Sequence, residues 1–140
     1  MGSLVGIDFG KKRTGLACTD PLKIIASGLK NLPTPEVIPF LKKYCETEQV
    51  DIFVLGKPLQ KDGAPSEVEV HILKFIKKLQ NHFPEMTIER YDERYTSKMA
   101  VQSMIDGGLT KKKRADKGMI DQVSATLILQ SYLDYKTNTL

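Results

Sequence analysis

The 140 residues predict an α/β fold: a mixed five-stranded sheet, its first three strands antiparallel, flanked by helices on both faces. Three observations predict it. At the start of the chain, apolar residues alternate with small or polar ones in three runs separated by short turns. From Glu36 onward, stretches of helical period alternate with short apolar runs. Residues that cap or break helices fall near the joins between these stretches.

The elements follow in order. Leu4 to Phe9 alternates, with Val5, Ile7 and Phe9 on one side and Gly6, Asp8 and Gly10 on the other. A tight turn through Lys11–Arg13 leads to a strand over Thr14–Thr19, and a third strand spans Ile24–Asn31 before the prolines at 33 and 35. Glu36–Glu48 reads as a helix with Val37, Phe40, Leu41 and Tyr44 on one side, and Pro39 sits in its tolerant first turn. Ile52–Leu55 is a short buried strand that Gly56 would end. Ser66 and Glu69 have capping-box spacing and open a helix with Val68, Ile72, Phe75, Ile76, Leu79 and Phe83 on its apolar side. Thr87–Tyr91 is the fifth strand, Thr96 or Ser97 caps a helix ending at Gly107–Gly108, and Asp116 caps a last helix from Lys117 to Tyr135.

Length and composition set the bounds. One domain over residues 1–140 is expected, with 41% hydrophobic and 27% charged residues, as in a soluble globular protein. No apolar run is long enough for a bilayer, so no membrane partner is expected. Two cysteines, Cys18 and Cys45, are too few for a disulfide framework and point to a reducing, cytoplasmic setting. With only His71 and His82 beside them, a zinc site is not expected; both histidines read as surface or packing residues. The net charge is +4, and the segment Lys111, Lys112, Lys113, Arg114, Asp116 and Lys117 alone sums to that value. A second knot lies at Lys11, Lys12 and Arg13. Such clusters suit a polyanion, nucleic acid above all, although a solvated loop or helix face carries the same pattern.

Three places hold carboxylates that a core would not tolerate unpaired. Asp8 shares its side of the first strand with Gly6 and Gly10, which would leave room for a metal or phosphate; the structural alternative is pairing with Arg13 or capping the turn. Asp92 and Glu93 leave the end of the fifth strand, where functional groups of α/β sheets collect, and either can instead pair with Arg94 or serve the following helix. Strand alternation does not choose between them. Asp121 sits on the last helix with Ser124 and Ala125 on its face, small residues that let the helix approach the sheet. An all-oxygen cluster suits one or two Mg²⁺ or Mn²⁺ ions, and such ions support in-line hydrolysis of a phosphodiester. No serine–histidine or cysteine–histidine pair offers a rival nucleophile.

The blocks "GIDFGKKRTGLACTD", "VLGKPLQKDGAPSE", "YDERYTS" and "DKGMIDQVSATLILQSYL" resemble, in order and across nearly the whole chain, the signature blocks of the YqgF (RuvX) family. The resemblance implies a ribonuclease H-like fold and a nuclease that processes the 5′ end of pre-16S ribosomal RNA, with Holliday-junction resolution as an older proposal. Carried over by position, it implies Asp8, Glu93 and Asp121 as catalytic and metal-binding residues, with Asp92 beside Glu93. Nucleic acid would meet Lys11, Lys12, Arg13, Lys57, Arg94 and Lys111, Lys112, Lys113 and Arg114. Lys57, Ala64, Ser97 and Ser124 depart from the usual pattern without removing a carboxylate. The partners implied are structured RNA or branched DNA and ribosome precursors, met by a monomer or a homodimer. Two readings compete with RNA cleavage: a resolvase of DNA four-way junctions, and a ribosomal RNA- or ribosome-binding factor without turnover. "GIDFGKKRTG" is also similar to the phosphate-binding start of actin-like ATPases and sugar kinases, but those enzymes close two such domains around a nucleotide.

Overall fold

In the computed structural model, residues 2–20, 22, 25–58, 66–92 and 117–138 are described, and within the last segment side chains are described over 123–133. The strands are β1 (Ser3–Asp8), β2 (Arg13–Thr19), β3 (Ala26–Pro33), β4 (Val50–Lys57) and β5 (Thr87–Asp92). The helices are α1 (Val37–Thr47), entered through a 3₁₀ turn at Thr34–Glu36, α2 (Glu69–His82) and α3 (Lys117–Asn138). The helix expected from Thr96 to Gly107 falls outside the described residues.

The sheet runs β3-β2-β1-β4-β5. β1–β2 and β2–β3 are antiparallel, whereas β1–β4 and β4–β5 are parallel. The expected mixed five-stranded sheet is therefore present, with its meander at one end. Asp20 closes the β2–β3 turn, its carboxylate accepting the Leu22 N–H at 3.1 Å and the Ile25 N–H at 2.8 Å. A side chain that satisfies two turn amides removes the need for a longer connection.

Strand alternation divides the sheet between two cores. Val5, Ile7, Leu16, Phe53 and Leu55 face α1 and α2 and pack with Val37, Leu41, Ile72, Phe75 and Leu79. Leu4, Ala17, Ala26 and Val54 face the other way and pack with Ala125, Ile128, Leu129, Tyr132 and Leu133 of α3. Helices thus cover both faces. Ser124, Ala125, Ile128, Leu129, Tyr132 and Leu133 are all buried, a stripe of helical period laid along the sheet.

Two local expectations are corrected. Gly56 does not end β4: it pairs with Tyr91 of β5, and the strand continues to Lys57. Its carbonyl also accepts a hydrogen bond from Arg90 at 3.0 Å. Pairing and that bond outweigh the glycine's weak strand preference. The capping box at Ser66 and Glu69 does not form as such. Ser66 Oγ accepts the Val68 N–H at 3.3 Å, while the Glu69 carboxylate turns to Arg90, with contacts of 2.7 and 3.1 Å. A charge-assisted two-pronged pair is the stronger bond for that carboxylate.

Candidate active site

Because β1, β4 and β5 are mutually parallel, their carboxyl ends come out at the same edge, at Asp8, Lys57 and Asp92. This is where open α/β sheets place ligands. Asp8 closes β1, half-buried, opposite Gly15 of β2. It shares a face with Gly6, and that face is covered by α3. A Cβ added at Gly6 would stand 2.9 Å from the Leu129 Cβ and 3.1 Å from the Ala125 carbonyl oxygen. The expectation that Gly6 clears space for a ligand is corrected, since its missing side chain admits α3. Gly10 likewise serves the turn, because a Cβ there would lie 2.3 Å from the Arg13 carbonyl oxygen. The small residues Ser124 and Ala125 do what their size implied: both are buried where the helix meets the sheet.

Alternation along β5 now separates its side chains. Glu89 accepts a hydrogen bond from the Tyr132 hydroxyl of α3, and Tyr91 meets the Tyr132 ring edge-on with centroids 6.4 Å apart. Arg90, between them, binds Glu69 of α2. Asp92 therefore shares the α2 side with Arg90, opposite to the side Asp8 faces. Glu93 and Arg94 lie outside the described residues. Asp121 stands on α3 one helical turn before Ala125, and its side chain is likewise outside the described set. Among the described residues no three His, Cys, Asp or Glu side chains gather as a metal-ligand set. Of the expected ligands only Asp8 and Asp92 have described side chains, and they lie on opposite faces. As a hard oxygen donor at a strand end, Asp8 has the chemistry of a ligand for a hard divalent cation.

The cationic turn after Asp8 is held in a fixed shape. Lys11, Lys12 and Arg13 are exposed, but the backbone around them is tied down. Thr34 Oγ1 donates to the Gly10 carbonyl oxygen at 2.6 Å and lies 2.8 Å from the fully buried Thr14 hydroxyl. The Thr34 N–H donates to the Lys12 carbonyl oxygen at 2.9 Å. With the Asn31 amide oriented to satisfy both of its ends, Arg13 donates to its oxygen at 2.8 Å. Lys57 ends β4 half-buried, opposite Asp92. Lys111–Arg114 fall outside the described residues.

Sequence reasoning passed over Thr34, Asn31 and the Arg90–Glu69 pair. Thr34 lies in a proline-marked loop, and nothing local signals that it reaches back to Gly10. Arg90 carried a clue, a charged residue inside an otherwise half-buried strand. The histidines at 71 and 82 are exposed, as expected. Burial pushes the Cys45 thiol above its usual value. Tyr44 is pushed up to about 12, first by burial and then by Cys18 beside it. These two groups sit on the α1 side of the sheet, away from Asp8, and stay protonated near neutral pH.

Comparison with known proteins agrees with this architecture. The family described as "RuvX: Holliday junction resolvase" matches residues 2–135. A protein of Christiangramia forsetii named "Putative pre-16S rRNA nuclease" is 56% identical over 133 residues, covering 95% of this chain and 98% of its own. One of Flavobacterium johnsoniae with the same name is 50% identical, covering 97% and 99%. Among solved structures, T. thermophilus RuvC in complex with a Holliday junction substrate superposes with a TM-score of 0.61 at 14% identity, over 99% of this chain and 98% of that one. At that identity the likeness speaks for the fold, which is ribonuclease H-like. With a family match that spans almost every residue and relatives identical at half of their positions, this chain belongs to the RuvX family.

Proposed function

We propose that this protein is a metal-dependent endonuclease that hydrolyses phosphodiester bonds in structured nucleic acid, with the 5′ end of pre-16S ribosomal RNA as its substrate. The carrying observation is Asp8: a half-buried carboxylate at the carboxyl end of the central strand, followed within five residues by a pinned cationic turn. That pairing suits a phosphodiester with its charge held by Lys11–Arg13 and its reacting phosphorus near Asp8. The names carried by the relatives point to the RNA substrate.

Asp8, Glu93 and Asp121 would hold one or two Mg²⁺ or Mn²⁺ ions. Glu93 is preferred to Asp92 because Asp92 shares the Arg90 side of β5, away from Asp8. Held there, such ions would supply activation of water and neutralisation of charge on the leaving oxygen. The chain's own residues do the rest. Lys11, Lys12 and Arg13 draw the backbone to the strand ends, aided by Lys57, Arg94 and Lys111–Arg114, and the tied-down turn holds its register against Asp8. The two free cysteines fit work in a reducing cytoplasm.

The test compares a precursor ribosomal RNA fragment and a DNA four-way junction, each with Mn²⁺. The parent should cut the RNA, and Asp8→Asn should lose at least about a hundredfold in rate while keeping its fold by circular dichroism. Preferential cutting of the junction would move the substrate to branched DNA, the activity the family description names. RNA binding without cleavage under any divalent ion would mark a binding factor instead.

A further inference from the structure

On the sheet face opposite Asp8, a groove of about 500 Å³ opens between the β1–β2 turn, α1 and α2. Its floor is the half-buried Phe9, whose ring packs on the core residue Phe75 with centroids 5.1 Å apart and planes inclined by 47°. Its rim is cationic, with Lys11 on one side and Lys74 and Lys78 on α2 opposite, and His71 one turn before Lys74. No carboxylate lines it among the described residues. Lysines four apart on a helix project side by side, so Lys74 and Lys78 present two ammonium groups along one wall. Thr34, which fixes the Gly10–Lys12 backbone, also lines this groove, so the wall carrying Lys11 is rigid.

We infer that this groove binds one nucleotide of a single-stranded nucleic-acid segment, the base against Phe9 and its phosphates among Lys11, Lys74 and Lys78. The inference rests on the nuclease reading above and extends it, since it assigns a path for the strand beyond the scissile bond. An aromatic floor ringed by lysines is the composition of single-strand platforms, where bases stack and the backbone is neutralised. Its volume lies within the range of small-ligand sites. Position decides between a strand and other anionic partners. Phe9 follows Asp8 directly, their Cα atoms about 3.8 Å apart across the peptide. Their side chains point to opposite faces. A strand crossing the sheet edge at the Lys11–Arg13 turn passes from one face to the other, with Lys11 available to both.

The experiment measures binding of a 5-iodouridine-labelled single-stranded RNA of about twelve nucleotides, within the site size of such platforms. It is run in EDTA, so that nothing depends on turnover. Lys74→Glu/Lys78→Glu should weaken binding at least about tenfold and lower the salt slope by about 1.4, for two lost phosphate contacts. Lys30→Glu/Lys43→Glu, the same charge change at exposed sites off the groove, should cost less than about threefold. Irradiation should cross-link the RNA to peptides containing Phe9 or His71. Equal losses for the two double variants, or cross-links only elsewhere, overturn the inference. Displacement of the RNA by an equimolar free mononucleotide also overturns it, assigning the groove to a soluble nucleotide. If the parent binds as described but cleaves nothing with Mn²⁺, the nuclease reading fails and the groove stands; cleavage with groove-independent binding gives the converse.

Discussion

Gly6 illustrates how one absent side chain sets the geometry around Asp8. The Leu129 Cβ and the Ala125 carbonyl occupy the space a Cβ would need, so Gly6→Ala must push α3 away from β1. Overpacking of this kind costs about 1–3 kcal/mol, and the variant should unfold at correspondingly lower urea. On the proposed function it should also lose rate on the RNA substrate, because Asp8 is two residues along the same face. A variant with parental stability would show that the helix yields without cost. The position of Asp8, at the end of β1 and on the face opposite Val5 and Ile7, follows from alternation and is where the structure has it. What the neighbouring glycines do was not legible, because alternation gives a face but not the element that covers it.

At the scale of elements, the N-terminal meander and the parallel half were read from alternation and helical period, and most boundaries moved by only a few residues. β4 runs beyond its apolar stretch because its ends are held by pairing, Val50 with Ser3 of β1 and Gly56–Lys57 with Tyr91–Asp92 of β5, while Asp51 falls at a shift in register. The α2 start was misjudged for a similar reason: the partner of Glu69 lies 21 residues away on β5. Arg90 thereby ties together the end of β4, the start of α2 and β5. Both side chains are largely buried, at 21% and 11% exposed. Glu69→Gln should therefore cost about 1–3 kcal/mol, since it leaves the guanidinium short of its charged acceptor. Replacing both residues, Glu69→Leu with Arg90→Met, should cost less than either single change if the pair's loss, and not lost packing, governs the effect; thermal melts of the three variants check this. The register of β5 against β4, Leu55 with Arg90 and Lys57 with Asp92, sets the phase of β5, which alternation in the sequence alone left open.

The whole molecule is built around β1, which lends Val5 and Ile7 to one core and Leu4 to the other. Two cores sharing their central strands should melt as one unit. Ile7→Ala and Leu129→Ala, on opposite faces, should each cost about 2–5 kcal/mol and leave a single transition, with far-ultraviolet circular dichroism and tyrosine fluorescence coinciding. Separate transitions for the two faces would refute this. The order of strands carries a further consequence for how the chain is made. The meander from Ser3 to Pro33 pairs only near neighbours and can form early, whereas β4, β5 and α3 close long loops back onto it. Among the described residues, the face bearing Leu4, Ala17, Ala26 and Val54 is covered by α3 alone, so its apolar side chains find those partners only when Ile128 and Leu129 dock. A chain that has formed this sheet but not yet docked α3 therefore displays an apolar surface, and that is the stage at which it is most prone to aggregate.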